Sequence, residues 1–228
     1  MRCTIGSLCL PVLIAMGLTV IGSVSAQEKP AAGLVVDVAK KTITIPCKVA
    51  PRKLPNLSEV YPIEVVASYG APKGQKAHET VVTFEVKPSE VHQALEKLGL
   101  KPGKPAKGDG GIPEGPEILI SLELTGPGGI ARKVPVERAL MDRRTGKPMP
   151  KMKWLFTGST QKQVDPAKPE KIYAADQSGT LIAVFPVTDE TVFQSSLTMK
   201  DEPLVKLETN TKVLPAEGTE VKLVIELP

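Results

Sequence analysis

Proline falls on this chain about once in ten residues, 22 among 228, roughly twice the usual share of about 5%. Each proline fixes its own φ and removes a backbone donor, so helices and strands are expected to be interrupted often. What remains is a fold of short segments joined by turns. Glycine contributes 19 more interruptions, but the two together stay below the roughly 25–30% share that marks low complexity. Hydrophobic residues at 41% and charged residues at 24% are those of a globular protein, which excludes a disordered tail and a multi-span membrane protein.

The N-terminus carries a targeting pattern. Arg2 is followed by an uncharged stretch from Cys3 to Gly22, with Leu8-Cys9-Leu10-Pro11-Val12-Leu13-Ile14-Ala15-Met16 as its apolar heart. Val24-Ser25-Ala26 supplies the small residues a signal peptidase reads, and Gln27-Glu28-Lys29-Pro30 is polar. The expectation is a signal peptide over residues 1–26, cleaved after Ala26, a short polar lead-in over 27–33, and a single domain over 34–228. Cys9 sits inside the apolar run rather than at its polar end, which argues against a lipid-anchored form. With the leader removed, no membrane span is expected, and the place of action is the periplasm or the exterior. Losing Arg2 from the 29 basic residues leaves a net charge of +3 against 25 acidic ones. Of three cysteines only Cys47 survives, so the mature chain can form no internal disulfide, cysteine-ligated iron–sulfur cluster or cysteine zinc knuckle.

The mature chain reads mostly as strand. Leu34–Val38 and Thr42–Val49, separated by Ala39-Lys40-Lys41, form a hairpin whose second arm alternates strictly. Ile63–Tyr69 and Thr80–Val86 flank a turn-rich loop with Gly70, Pro72 and Gly74, read as a second hairpin. Ile118–Leu124 meets Ile130–Val136 across Gly126-Pro127-Gly128-Gly129, and Ile172-Tyr173-Ala174 meets Leu181–Phe185 across the turn Asp176-Gln177-Ser178-Gly179. Val221–Leu227 closes the chain. One helix is expected, about Ser89–Leu98. Ser89 would cap it, Val91, Ala94, Leu95 and Leu98 form its apolar stripe, and Gly99 stops it. Residues 101–111 are a Gly/Pro-rich loop. The fold class is α+β, dominated by antiparallel β-hairpins with one main helix.

Several segments resemble a known family. Tyr61-Pro62-Ile63-Glu64, His78-Glu79-Thr80, and Lys87–Leu95 followed by Leu98-Gly99-Leu100-Lys101-Pro102-Gly103 are similar to the YdjY-type domain. Trp154-Leu155-Phe156-Thr157-Gly158-Ser159 and Tyr173–Ala183 are similar to its second half. The resemblance runs from about Leu34 onward and implies one domain of a kind common in exported bacterial proteins. It implies no particular activity. Some members of the family carry ferredoxin-like iron–sulfur segments, and this chain departs from them with its lone mature cysteine.

The residues that could carry chemistry are few. His78, Glu79, His92 and Cys47 would suit zinc or copper by type. However, a strand from residue 78 and a helix from 88 place the two imidazoles roughly 15–20 Å apart, so no metal is expected. Cys47 shares a face with Ile43, Ile45 and Val49 and reads as a small buried hydrophobe. On a strand, His78 and Glu79 would point to opposite faces, leaving His78 as a hydrogen-bonded histidine at the rim of the core. His92 reads as a boundary residue beside the apolar stripe. No Gly-x-Ser-x-Gly occurs in the mature chain, so a serine triad is not expected, and Ser159 and Ser178 read as turn formers. Asp176–Gly179 lacks the ligand density of a calcium loop, and Gly108–Gly111 lacks the context of a phosphate cradle. The basic stretch Arg143, Arg144, Lys147, Lys151 and Lys153, broken by Gly146, Pro148 and Pro150, reads as a solvated loop that could meet an anionic surface. Trp154 follows it, with core packing favoured over a stacking platform. One Trp, three Tyr and four Phe are thin for a carbohydrate or single-strand surface.

By subtraction, the expectation is an exported protein of the cell envelope, working as a non-catalytic binding or structural module. Its partner would be an envelope polymer or another exported protein, and neither nucleic acid nor a cofactor is expected. The ligand-facing candidates are His78, Glu79, His92, Trp154 and Asp176. Two other readings stay open: a metal- or redox-linked accessory or enzyme around His78 and Glu79, and a binder of anionic envelope surface through the basic stretch and Trp154.

Overall fold

The computed structural model describes Met1 and residues 33–228. The expected signal peptide beyond Met1 and the expected lead-in up to residue 32 lie outside the described residues. The first half runs β1 (Val35–Asp37), β2 (Thr42–Val49), β3 (Val65–Tyr69), β4 (Thr80–Phe84), α1 (Pro88–Lys97), β5 (Glu117–Thr125) and β6 (Ala131–Pro135). Next come β7 (Leu140–Asp142), β8 (Lys147–Pro148), β9 (Trp154–Phe156), β10 (Gln161–Gln163) and β11 (Lys171–Tyr173). The short helix α2 (Ala174–Ser178) then leads into β12 (Thr180–Ala183), β13 (Phe193–Ser195), β14 (Leu207–Thr209) and β15 (Glu220–Glu226).

Eight of these strands close on themselves. The order β2-β15-β5-β9-β13-β12-β3-β4 is completed by pairing of β4 with β2, where Cys47 opposes Phe84 and Val49 opposes Val82. Closure removes the exposed edges that an open sheet would leave. The β-dominated class with one main helix holds, and the closed barrel is what the local pattern did not display. Both ends of the described chain supply staves, since β15 pairs with β2 from Glu220↔Lys48 to Glu226↔Thr42.

The interior follows from period-2 alternation. Ile43, Ile45, Cys47 and Val49 on β2 share a face, as do Val221, Leu223 and Ile225 on β15 and Ile118, Ile120, Leu122 and Leu124 on β5, and all are buried. Register brings them side by side: Leu223 opposes both Ile45 and Leu122, and Phe193 opposes Phe156. Helix α1 adds Val91, Ala94 and Leu95 to the same core. It ends as expected: Gly99 is left-handed (φ 93°), and the Gly99 and Leu100 N–H groups return to the Glu96 and Leu95 carbonyls.

Three expectations are corrected. Residues 63–69 and 80–86 do not form a hairpin: β3 and β4 run parallel, Val65 beside Thr80 and Tyr69 beside Phe84. The loop between them runs back along the strand instead of turning directly. Gln75 N–H reaches the Ser178 carbonyl, and a 3-10 turn over Ala77–Glu79 delivers the chain to β4. Asp176–Gly179 is not a hairpin turn either, because Asp176 and Ser178 lie in α2, ended by left-handed Gly179 (φ 72°). The strands on its two sides belong to different sheets, β11 pairing with β10 and β12 with β3 and β13. Finally, the cap of α1 is Lys87, whose N–H meets the Glu90 carboxylate at 3.4 Å, and Ser89 bonds elsewhere.

Two attachments complete the fold. β10 and β11 form an exposed ribbon, and β14-β7-β8 form a small sheet beside the barrel. Among the described residues, β6 pairs only with β5 and stands outside the ring.

Candidate binding groove

The five sequence candidates fall in three different places. His78 is not on a strand but in the 3-10 turn Ala77–Glu79, and this turn reverses the expectation that it and Glu79 face apart: His78 Nε2 lies 3.1 Å from Glu79 Oε1. Lys76 Nζ bridges Glu79 Oε2 at 2.7 Å and Glu64 Oε2 at 2.9 Å, and Tyr61 meets the His78 ring edge-on at 5.1 Å. Burial is the main influence on the Glu64 carboxyl and pushes it above the usual carboxylate range, with Lys76 opposing. Behind the turn, Arg52 donates to the His78 and Tyr61 carbonyls and to Glu208. These groups satisfy one another and tie the crossover loop to the start of β3. The cluster is a clasp, half-buried, and it lines neither groove on the barrel. Among the described residues, no three His, Cys, Asp or Glu side chains gather in a way that could hold a metal ion.

His92 and Asp176 lie at the helix pair. Asp176 Oδ1 accepts the Ser89 N–H at 2.8 Å and Oδ2 accepts the Ser89 hydroxyl at 2.6 Å, so α2 caps the start of α1 from outside. His92 sits edge-on between Phe156 and Tyr173, with ring centroids 5.1 and 5.2 Å away. Its Nδ1 is 2.7 Å from the Tyr173 hydroxyl, which also accepts the Ser159 N–H at 3.1 Å. Burial pushes the Tyr173 phenol above its ordinary range, and the hydroxyl shares its hydrogen bond with Nδ1 in the direction the imidazole tautomer sets. On the other side of the ring, Nε2 lies 3.5 Å from the Glu96 carboxylate. This knot is satisfied internally as well, and His92 is the boundary residue its place beside the stripe suggested.

Cys47 lies inside the barrel, its thiol pushed up to about 12 by burial. Trp154 is buried at 2% exposure, in the core rather than on a platform. Its edge, however, forms part of a cavity.

Along β5, one edge is shared by two partners. β9 pairs at Glu117 and Ile118, and β6 takes over from Ser121 to Thr125. Where the two diverge, a groove of about 780 Å³ opens between the β6 arm and the segment from Pro148 to Met152. Leu119, half-exposed at 48%, lies on its floor, with buried Met149 and Met152 along one wall. Beneath it the Trp154 Nε1–H points to the buried Glu137 carboxylate at 3.5 Å. Four cations line it: Arg132, Lys133, Arg138 and Lys151. Lys133 is paired with Glu226, and Arg132 donates to the Val213 carbonyl at 3.2 Å. Neither Arg132, Arg138 nor Lys151 makes an ion pair among the described residues. With Glu137 and Glu226 as the only carboxylates, the lining is net positive and offers an anion its unpaired cations. The expected basic stretch is divided by the fold. Arg143, Arg144 and Lys147 stay exposed about the β7–β8 turn, Lys153 pairs with Glu117 at 3.2 Å, and only Lys151 reaches the groove. Sequence reasoning missed Arg132, Glu137 and Arg138. The one signal was an acidic residue set among apolar neighbours, Val136-Glu137-Arg138-Ala139-Leu140.

A second groove, of about 460 Å³, lies outside β2, β4, β5 and β15. Its charges are mixed, with Lys222 and Glu123 paired at 2.6 Å.

A family model, the YdjY domain, matches residues 34–226. The chain belongs to the YdjY domain family. The match begins at Leu34, just before β1, and ends at Glu226, the last residue of β15. The YdjY domain in this chain is therefore the barrel with its attachments, and the cation-lined groove is built wholly from it. No curated protein and no solved structure matches the chain.

Proposed function

We propose that this YdjY-domain protein is exported, with its leader removed after Ala26, and serves the cell envelope as a non-catalytic binding module whose ligand occupies the cation-lined groove. One observation carries the reading: Arg132, Arg138 and Lys151 converge, without carboxylate partners among the described residues, on a concave surface with an apolar floor. Concave, largely apolar sites with a few convergent polar groups are where ligands bind. The other candidate groups spend their hydrogen bonds on their own neighbours. The accessory or enzyme reading around His78 and Glu79 has less support, because both Glu79 oxygens are engaged, by His78 and Lys76. The ligand is an anion of the envelope, polymeric or carried by another exported protein.

Trp154 is the only tryptophan in the chain and lines this groove, so intrinsic emission reports occupancy. The test is a titration of residues 27–228 with soluble peptidoglycan fragments, a phosphate-backboned wall polymer and an acidic peptide, at low and high salt. An emission change that saturates, and that Arg138→Glu with Lys151→Glu abolishes, is expected. A flat response to every probe, or one that the double charge reversal leaves intact, refutes the proposal. Export is tested separately, by the N-terminal residue of the secreted protein, expected to be Gln27.

A further inference from the structure

The groove has a feature that a small anion would not use: it runs beside a free strand edge. Among the described residues, β6 stands outside the ring and pairs with β5 alone. The hairpin is closed by the Gly126 N–H to the Ile130 carbonyl at 2.8 Å. Antiparallel alternation from that bond turns the N–H and C=O groups of Arg132 and Val134 toward β5, and those of Ala131 and Lys133 away from it. Pro135 falls on an outward position, where its missing N–H costs the β5–β6 ladder nothing. Among the described residues no hydrogen bond takes the outward groups of Ala131 or Lys133. Ala131, Arg132 and Lys133 are all exposed.

We infer that the ligand of the groove is an extended acidic peptide segment of another exported protein, which adds to β6 as a further strand. The inference rests on the binding reading proposed above and names its partner. An added strand would satisfy the open amides of Ala131 and Lys133, as strand addition does in peptide recognition generally. The side chains on one face of the added strand would lie over the groove and bring carboxylates toward Arg132, Arg138 and Lys151. Charge complementarity selects the occupant. Lysine and proline on an edge commonly guard against pairing between copies of one chain. Here the guard repels a basic strand such as β6 itself and leaves an acidic one welcome.

The probe is a fluorescein-labelled, nine-residue peptide alternating glutamate and valine, blocked at its far end and followed by anisotropy with the mature protein. Two controls accompany it, a lysine–valine counterpart and a glutamate–valine peptide N-methylated on one edge, which keeps its charge but cannot complete a ladder. Micromolar, salt-sensitive binding is expected, about tenfold weaker for the N-methylated peptide and absent for the lysine peptide. Ala131→Pro removes an outward N–H and no charge, so it should leave the melting temperature near wild type and weaken binding about as much as N-methylation does. Should that variant fail to fold, amide exchange on the wild-type protein decides, because Ala131 and Lys133 must become protected when peptide is bound. Equal binding of the N-methylated peptide, or no new protection at Ala131 and Lys133, overturns strand addition while leaving an anion-binding groove. Failure of both glutamate peptides to bind overturns the peptide partner, and the anion-binding groove falls with it only if the wall polymers fail as well.

Discussion

Replacing Asp176 removes a tertiary cap on the main helix, and the structure sets the size of the effect. Its two oxygens accept the Ser89 N–H at 2.8 Å and the Ser89 hydroxyl at 2.6 Å. Hydrogen bonds to a charged group contribute about 1.5–3 kcal/mol each, net of the bonds to water they replace. A carboxylate at a helix N-terminus adds about 0.3–1 kcal/mol. Ser89 is only half-buried, so water replaces part of what is lost, and Asp176→Ala should cost about 2–3 kcal/mol in total. For a domain this size that is a fall of roughly 4–12 °C in melting temperature. Ser89→Ala, which loses one of the two bonds, should cost about 1 kcal/mol. In the double mutant the Ser89 hydroxyl bond is already gone, so the two single costs should overshoot the double by about 1 kcal/mol. Urea unfolding of the four proteins measures the cycle, and amide exchange along α1 locates it. A loss below about 0.5 kcal/mol for Asp176→Ala, or strict additivity with Ser89→Ala, would refute the reasoning.

Gly179→Ala should destabilise by at least about 2 kcal/mol, because φ is 72° and the new Cβ would lie 2.4 Å from the Tyr69 ring; urea unfolding measures it. Cys47 should resist a thiol-exchange reagent at pH 8 in the native protein and react at once in urea, since burial holds its thiol near 12; rapid native reaction would contradict the closed barrel. Glu208 feels burial most, which alone would raise its carboxyl, but Arg52 and the Thr209 N–H outweigh it and hold the group below its usual range. A depressed carboxyl adds stability that is present above its unfolded value, near 4.5, and is lost as pH falls through the lower folded value. Glu208→Gln should therefore lose no more than about 1 kcal/mol at neutral pH, with the difference from wild type shrinking below pH 4.5. Paired urea unfolding at pH 7 and pH 3 checks it, and a difference that grows on acidification contradicts the pairing.

The legible parts of the fold were those in which each residue's fate depends on near neighbours. The hairpins around Ala39–Lys41 and Gly126–Ile130 stand as their turn residues and alternation indicated. The stretch from residue 63 to 86 was misjudged because Gly70, Pro72 and Gly74 suit a tight reversal and a loose crossover equally well. What separates the two is the bond from Gln75 to the Ser178 carbonyl and the clasp of Lys76 on Glu64 and Glu79. His78 and Glu79 were set on opposite faces by a strand parity that begins only at Thr80. One 3-10 turn ahead of the strand is enough to bring them together. Of the groove, only Trp154 and Lys151 were singled out beforehand. Arg132 and Arg138 looked like ordinary surface cations, and their convergence depends on where β9 and β6 part along β5.

The sequence by itself determined which face of each long strand is buried, where α1 ends, and that the chain is β-dominated with one principal helix. Alternation, the i, i+3, i+4 stripe and a left-handed glycine act over a few residues, so local chemistry suffices for all of them. Tertiary structure alone decided that eight strands close into a barrel, that β3 and β4 run parallel, that Asp176 caps a helix 87 residues before it, and that a free strand edge borders a cation-lined groove. Each of these depends on partners brought together from far along the chain, and register and closure rest on the fit of the whole interior rather than on any local preference.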